Sequence, residues 1–203
     1  KVFKGTGDIP ASAAEIDAFV EQVRAATGAP KVDLVGHSQG GSVARYYANL
    51  IGGGDKVGTV VGLAASNHAT SVVGLLSLGQ FIGLIDPLFA LTNWIGLPAL
   101  QQQADPNSSF FHALNGNGET RPGISYTNLA TVFDEVVTPY TQAYLTPGPT
   151  VDNIKLQDVC SQDLTDHLGI IYDQNVYQLV LNALDPGDQR PIACGPSFPV
   201  FGS

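Results

Sequence analysis

The stretch Val32-Asp33-Leu34-Val35-Gly36-His37-Ser38-Gln39-Gly40-Gly41 decides how the chain is read. A short apolar run ends in Gly-x-Ser-x-Gly, and a helical pattern, Ser42-Val43-Ala44-Arg45-Tyr46-Tyr47-Ala48, follows directly. Strand, sharp turn and helix in that order make a nucleophile elbow, whose turn lifts the serine hydroxyl clear of the sheet edge. Gly36 and Gly40 are expected to flank Ser38 because a Cβ at either would strike neighbouring backbone in so tight a bend. Gln39 then opens the helix with a free backbone N–H at the positive end of the dipole, where a developing oxyanion can be held. The bland alternative is an ordinary strand-to-helix turn. The setting favours Ser38 as a candidate nucleophile.

Outward from the elbow, helical and extended patterns alternate. Asp8 to Thr27 predicts an amphipathic helix with Ile16, Phe19, Val20 and Val23 on one face, closed by Gly28. Strand Val32–Val35, the elbow helix ended by Gly52-Gly53-Gly54, and a buried-type strand Val57–Leu63 follow. Ile124–Thr131 reads as a third strand, Val151–Leu156 as a short fourth, and Gln174–Leu184 as a final helix packing through Val176, Leu179, Val180 and Leu184. This order predicts an α/β fold, a mainly parallel sheet with helices on both faces.

The 203 residues suit one domain with a substantial core. Hydrophobic residues make up 44% and charged residues 13%, which excludes a disordered chain. A net charge of −9 argues against a nucleic-acid partner, which calls for a basic face. From Ser71 to Leu100 the only charge is Asp86, amid Leu, Ile, Phe, Val and the sole tryptophan, Trp94. Asp86, Pro87 and several glycines break that run short of the roughly 20 apolar residues a spanning helix needs. Residues of about 71–115 are therefore expected to form a cap or lid-like insertion, either plain core helices or an apolar cover that meets greasy substrate or a lipid–water interface.

A serine nucleophile needs a base, and the base needs an acid to hold its tautomer. In this fold the chain order is Ser, then Asp or Glu, then His. His37 lies in the elbow and is expected to point its ring elsewhere; His68 follows the second strand and His112 lies near Phe110–Leu114. Only His167 follows the last strand, in Asp163-Leu164-Thr165-Asp166-His167-Leu168-Gly169, which makes it the expected base. Asp134, just past the carboxyl end of the third strand, is the expected acid, with Glu135 as runner-up. Asp105 and Asp158 fit the order less well, and Asp166 adjoins His167 too closely to orient it. No cluster of His, Cys and carboxylates implies a metal, and no cofactor is expected.

Cys160 and Cys194 are read as a disulfide holding an irregular tail rich in proline and glycine, against the alternative of two buried thiols. Such a bridge would tether the His167 loop and point to an oxidising, extracellular compartment. Asn107-Ser108-Ser109 is a glycosylation sequon, relevant only in a eukaryotic secretory host.

Several of these motifs together resemble the secreted bacterial lipases of the class 2 group, and more distantly the fungal lipase B enzymes. They are Gly36-His37-Ser38-Gln39-Gly40-Gly41, Ser66-Asn67-His68, Tyr126-Thr127-Asn128 leading to Asp134-Glu135-Val136-Val137-Thr138-Pro139, and Asp166-His167 with a cysteine shortly before. The resemblance runs from about Gly5 to Pro186. It implies an α/β-hydrolase fold, carboxylic-ester hydrolysis and a triad of Ser38, Asp134 and His167. Members of that group begin with further strands and a loop that supplies a second oxyanion donor, and Lys1-Val2-Phe3-Lys4-Gly5 leads straight into the first helix. The expectation is therefore an N-terminally incomplete domain, completed by a missing segment or a second chain, with a trimmed enzyme as the alternative. A non-catalytic lipid- or partner-binding protein, and an acyltransferase, are the rival functions.

Overall fold

The computed structural model describes residues 7–71, 98–200 and 202. The expected cap insertion lies largely outside them, including Asp86 and Trp94; so do residues 1–6.

Helix α1 (Ile9–Thr27) starts where Asp8 accepts the Ala11 N–H at 2.9 Å and stops at Gly28, whose φ of 72° closes the last turn. Its buried stripe is Ile9, Ala13 and Val20, with Ile16 packed beside it. Phe19, expected on this face, is 65% exposed, because the true stripe passes through positions 9, 13, 16 and 20 and leaves Phe19 on its flank.

Strand β1 (Val32–His37) runs into helix α2 (Gln39–Tyr46), which loosens into one π-helical segment, Tyr47–Ile51. Strand β2 (Val57–Leu63) follows, then two short helices, α3 (Pro98–Ala104) and α4 (Ser109–Asn115). Beyond them come β3 (Ser125–Ala130), β4 (Val151–Lys155), the one-turn α5 (Leu156–Val159) and α6 (Gln174–Leu184). The strands form a parallel sheet in the order β1-β2-β3-β4. Side chains alternate across it: Val57, Val60 and Tyr126 join α1, α2 and α4 in one core, whereas Val61, Leu63 and Leu129 join Leu156, Ile170 and α6 in another. Both faces are thus covered, as a parallel sheet requires.

The buried Arg45 ties α2 to the exit of β2 and to α4. Its guanidinium donates to the carbonyl of Asn67 at 3.1 Å and to Oδ1 of Asn115 at 2.6 Å. Burial pushes this guanidinium down to about 10. Because the sheet is parallel, the carboxyl ends of β1, β3 and β4 lie along one rim, where Ser38, Asp134 and the loop carrying His167 begin their excursions.

Candidate active site

Ser38 sits between β1 and α2 with φ 53° and ψ −127°, a backbone conformation that non-glycine residues avoid. Its N–H donates to the Leu63 carbonyl at 2.9 Å, and its own carbonyl accepts from Gly41 at 3.0 Å, so both sides of the bend are fixed. A Cβ on Gly36 would lie 2.4 Å from the Gly40 oxygen, which agrees with the steric expectation. The same expectation fails at Gly40, where a Cβ would meet nothing within 4 Å. The second tight position is Gly41, whose Cβ would come within 2.5 Å of Ala65 Cβ. The elbow helix is therefore pressed against β1 at one residue and against the β2 exit at the next.

Asp134 stands in the turn after β3 and is almost fully buried. Its Oδ1 accepts the N–H groups of Val136 and Val137 at 2.9 and 2.7 Å, which orients the carboxylate. Both of its oxygens lie 3.0 Å from Nδ1 of the fully buried His167. A carboxylate only accepts, so Nδ1 carries the hydrogen and Nε2 presents its lone pair. That Nε2 is buried with no hydrogen-bond partner among the described residues.

The His167 loop is held by polar contacts rather than by regular structure. Thr131 Oγ1, at the end of β3, donates to the Thr165 carbonyl at 2.7 Å, and Gln157 bridges Thr131 and the Asp163 carbonyl at 3.0 Å each. Asp166 Oδ1 accepts from Gly169 and Val200, clasping the loop to the tail. A disulfide joins Cys194 to Cys160, which lies seven residues before His167.

His37 does not point away from the site, as expected from sequence. Its ring packs on that of His167 with centroids 4.7 Å apart, and its Nε2 lies 2.7 Å from the His167 carbonyl. Burial, and next the positive charge that His167 can carry, hold the His37 imidazole down to about 4. Glu135, the runner-up acid, accepts the His167 backbone N–H at 3.3 Å instead of the ring. The remaining candidates are engaged elsewhere. His68 faces Glu119 Oε1 at 2.7 Å and the Gln142 carbonyl at 3.1 Å, and His112 lies exposed on α4. Burial opposes ionisation of Glu119, but the donors His68 and Thr146 outweigh it and hold its carboxyl down to about 2. Asp105 caps a turn at Asn107, and Asp158 pairs with Lys155 on the surface. Among the described residues no group of three or more His, Cys, Asp and Glu side chains converges as a metal-ligand set, and no helix is long and apolar enough to cross a membrane.

Missed by sequence reading are the grip of His37 and Glu135 on the His167 backbone and the bridging by Gln157. The adjacency of His37 to Ser38 and of Glu135 to Asp134 is the signal that could have found the first two.

A family model described as lipase (class 2) matches residues 12–179. Two triacylglycerol lipases, from Pseudarthrobacter phenanthrenivorans and Burkholderia plantarii, are each 68% identical over 31 residues, 15% of this chain and 10% and 9% of theirs. Among solved structures, lipase B of Aspergillus fumigatus superposes with a TM-score of 0.70 at 21% identity, over 92% of this chain and 44% of that one. The mature Bacillus licheniformis lipase BlEst2 gives a TM-score of 0.52 at 16% identity, over 73% and 65%. The chain thus spans less than half the length of the fungal structure, and its aligned stretch about a tenth of the two bacterial relatives.

Proposed function

The chain belongs to the class 2 lipases, with the α/β-hydrolase fold, and from that premise we propose that it is a serine carboxylic-ester hydrolase acting on apolar acyl esters through an acyl-enzyme. The observation that carries this reading is the buried Asp134–His167 pair, whose imidazole packs on the ring of His37, the residue before Ser38, and keeps Nε2 unpartnered among the described residues.

In the proposed reaction His167 Nε2 takes the Ser38 hydroxyl proton as Oγ attacks the ester carbonyl, and Asp134 supports the resulting imidazolium. The carbonyl electrons collapse back and expel the alkoxide, to which His167 returns the proton. Water, deprotonated by the same nitrogen, then releases the acid and regenerates Ser38. The Gln39 N–H, in the first turn of α2 where no intrahelical acceptor exists, donates to the oxyanion. A second donor comes from chain outside the described residues, a segment or partner that also covers the edge of β1. That edge is paired on one side only among the described residues and leaves Val35 47% exposed. Val132, Phe133 and Leu164, each more than 40% exposed, put apolar side chains beside the loops of Asp134 and His167, which suits acyl chains and a lipid–water surface better than charged substrates. The disulfide supports an extracellular setting.

The test is covalent labelling by a fluorophosphonate together with turnover of p-nitrophenyl butyrate. Wild-type protein should be labelled at Ser38, and Ser38→Ala should lose both labelling and turnover while melting normally. A wild type that is neither labelled nor active would overturn the assignment and leave a binding protein, and undiminished turnover by Ser38→Ala would remove Ser38 as the nucleophile.

A further inference from the structure

His167 is gripped at every polar atom that can be gripped without blocking its chemistry. Its Nδ1 is taken by Asp134, its backbone N–H by Glu135 at 3.3 Å and its backbone carbonyl by His37 at 2.7 Å. The last grip comes from the residue immediately before Ser38. We propose that His37 is a positioning residue, joining the elbow to the His167 loop so that the base and the nucleophile share one frame.

The geometry supports this in three respects. A carbonyl oxygen only accepts, so His37 Nε2 carries a hydrogen and donates it to His167. The two rings meet with centroids 4.7 Å apart, so movement of the His167 side chain displaces His37 as well. The other side-chain holds on the loop run elsewhere, from Thr131 after β3, from Gln157 of α5 and from Asp166 to the tail. The base lies 130 residues from the elbow in sequence, on a segment of turns and short helices. The low proton affinity of His37 fits the role, since a neutral neighbour sets no like charge against the imidazolium that His167 becomes. The charged groups acting on His37 are His167 and Asp134, both of the proposed triad.

The inference rests on the serine-hydrolase reading, so the experiment separates the two. His37→Phe keeps a ring and loses the donor; His37→Gln keeps a donor near the place of Nε2 and loses the ring. Turnover of p-nitrophenyl butyrate and the rate of Ser38 phosphonylation are measured for both, with thermal melting as a fold control. His37→Phe should lower kcat and the labelling rate by about 10- to 100-fold with KM within about twofold, the scale of a misplaced catalytic group. His37→Gln should recover most of the loss. Where His37→Phe does not fold, His37→Asn, an amide too short to reach the carbonyl, takes its place with the same expectation. Wild-type rates in the donor-lacking variant, equal impairment in His37→Gln, or a change confined to KM would overturn the positioning role. Absence of phosphonate at Ser38 in the wild type would instead bring down the serine-hydrolase reading beneath it.

Discussion

Substituting alanine at Gly36 and at Gly40 should have opposite effects, although both glycines flank the same serine. A methyl on Gly36 would lie 2.4 Å from the Gly40 oxygen, 2.5 Å from the Gly40 carbonyl carbon and 2.6 Å from the Gly41 nitrogen. All three atoms are backbone, so no side chain can swing aside, and relief requires the first turn of α2 to retreat by about 1 Å. Overpacking of this kind typically costs about 1–3 kcal/mol, and rigid partners put Gly36→Ala at about 3 kcal/mol. Gly40 lies within α2, and a methyl added there would meet nothing within 4 Å. At that position alanine simply replaces a poor helix former and should stabilise by about 1 kcal/mol. The two variants should therefore differ by about 4 kcal/mol, or about 1.5 M in urea midpoint for a chain whose m-value is about 2.5 kcal/mol/M. The assay is equilibrium urea denaturation, with Ser38 phosphonylation as a second readout. Retreat of α2 carries Ser38 and Gln39 with it, so Gly36→Ala should label slowly even while folded. A Gly36→Ala midpoint at or above wild type, or a Gly40→Ala midpoint below it, would refute the steric argument.

Three further outcomes are expected. Asp134→Asn keeps an acceptor for Val136 and Val137 but presents an amide N–H to His167 Nδ1, favouring the wrong tautomer; kcat on a p-nitrophenyl ester should fall by about 10⁴-fold with little change in melting temperature. Loss of less than tenfold would argue against Asp134 as the acid. His37 has its folded value lowered from 6.5 to about 4, so between these limits the unfolded chain binds a proton that the folded chain refuses. Stability should thus be fully present above pH 6.5 and decline on acidification toward pH 4, by on the order of 3 kcal/mol from this residue. Melting temperatures followed through that window should show a shallower decline in His37→Gln, and an unchanged slope would contradict the assignment. Replacing both Cys160 and Cys194 by alanine opens a loop spanning 34 residues, which in the chain-entropy model lowers stability by about 4 kcal/mol. Urea denaturation reads this directly, and an unchanged midpoint would show that the tail is held without the bridge.

What the sequence makes legible follows from periodicity and local stereochemistry. The elbow, the alternation of strand and helix, and the parallel sheet all have short-range signatures, and the observed strands differ from expectation by at most two residues at either end. The errors share another cause. Phe19 is as apolar as its neighbours, but α1 buries positions 9, 13 and 20, and only the placement of the sheet selects that stripe over its flank. Gly40 and Gly41 are equivalent in a local reading, and the approach of Ala65, from the far end of β2, makes one of them tight and leaves the other open. His37 looks idle in sequence because its partner is a backbone carbonyl 130 residues away. Chain order selects Asp134 and His167, whose side chains meet at 3.0 Å, yet it carries no information on the loop that brings them there. That loop is held by Thr131, Gln157 and Asp166, polar side chains whose spacing has no period. A hydrophobic pattern reports which face of an element is buried; a loop without such a face is specified by individual hydrogen bonds, each of which needs its distant partner in place before it can be read.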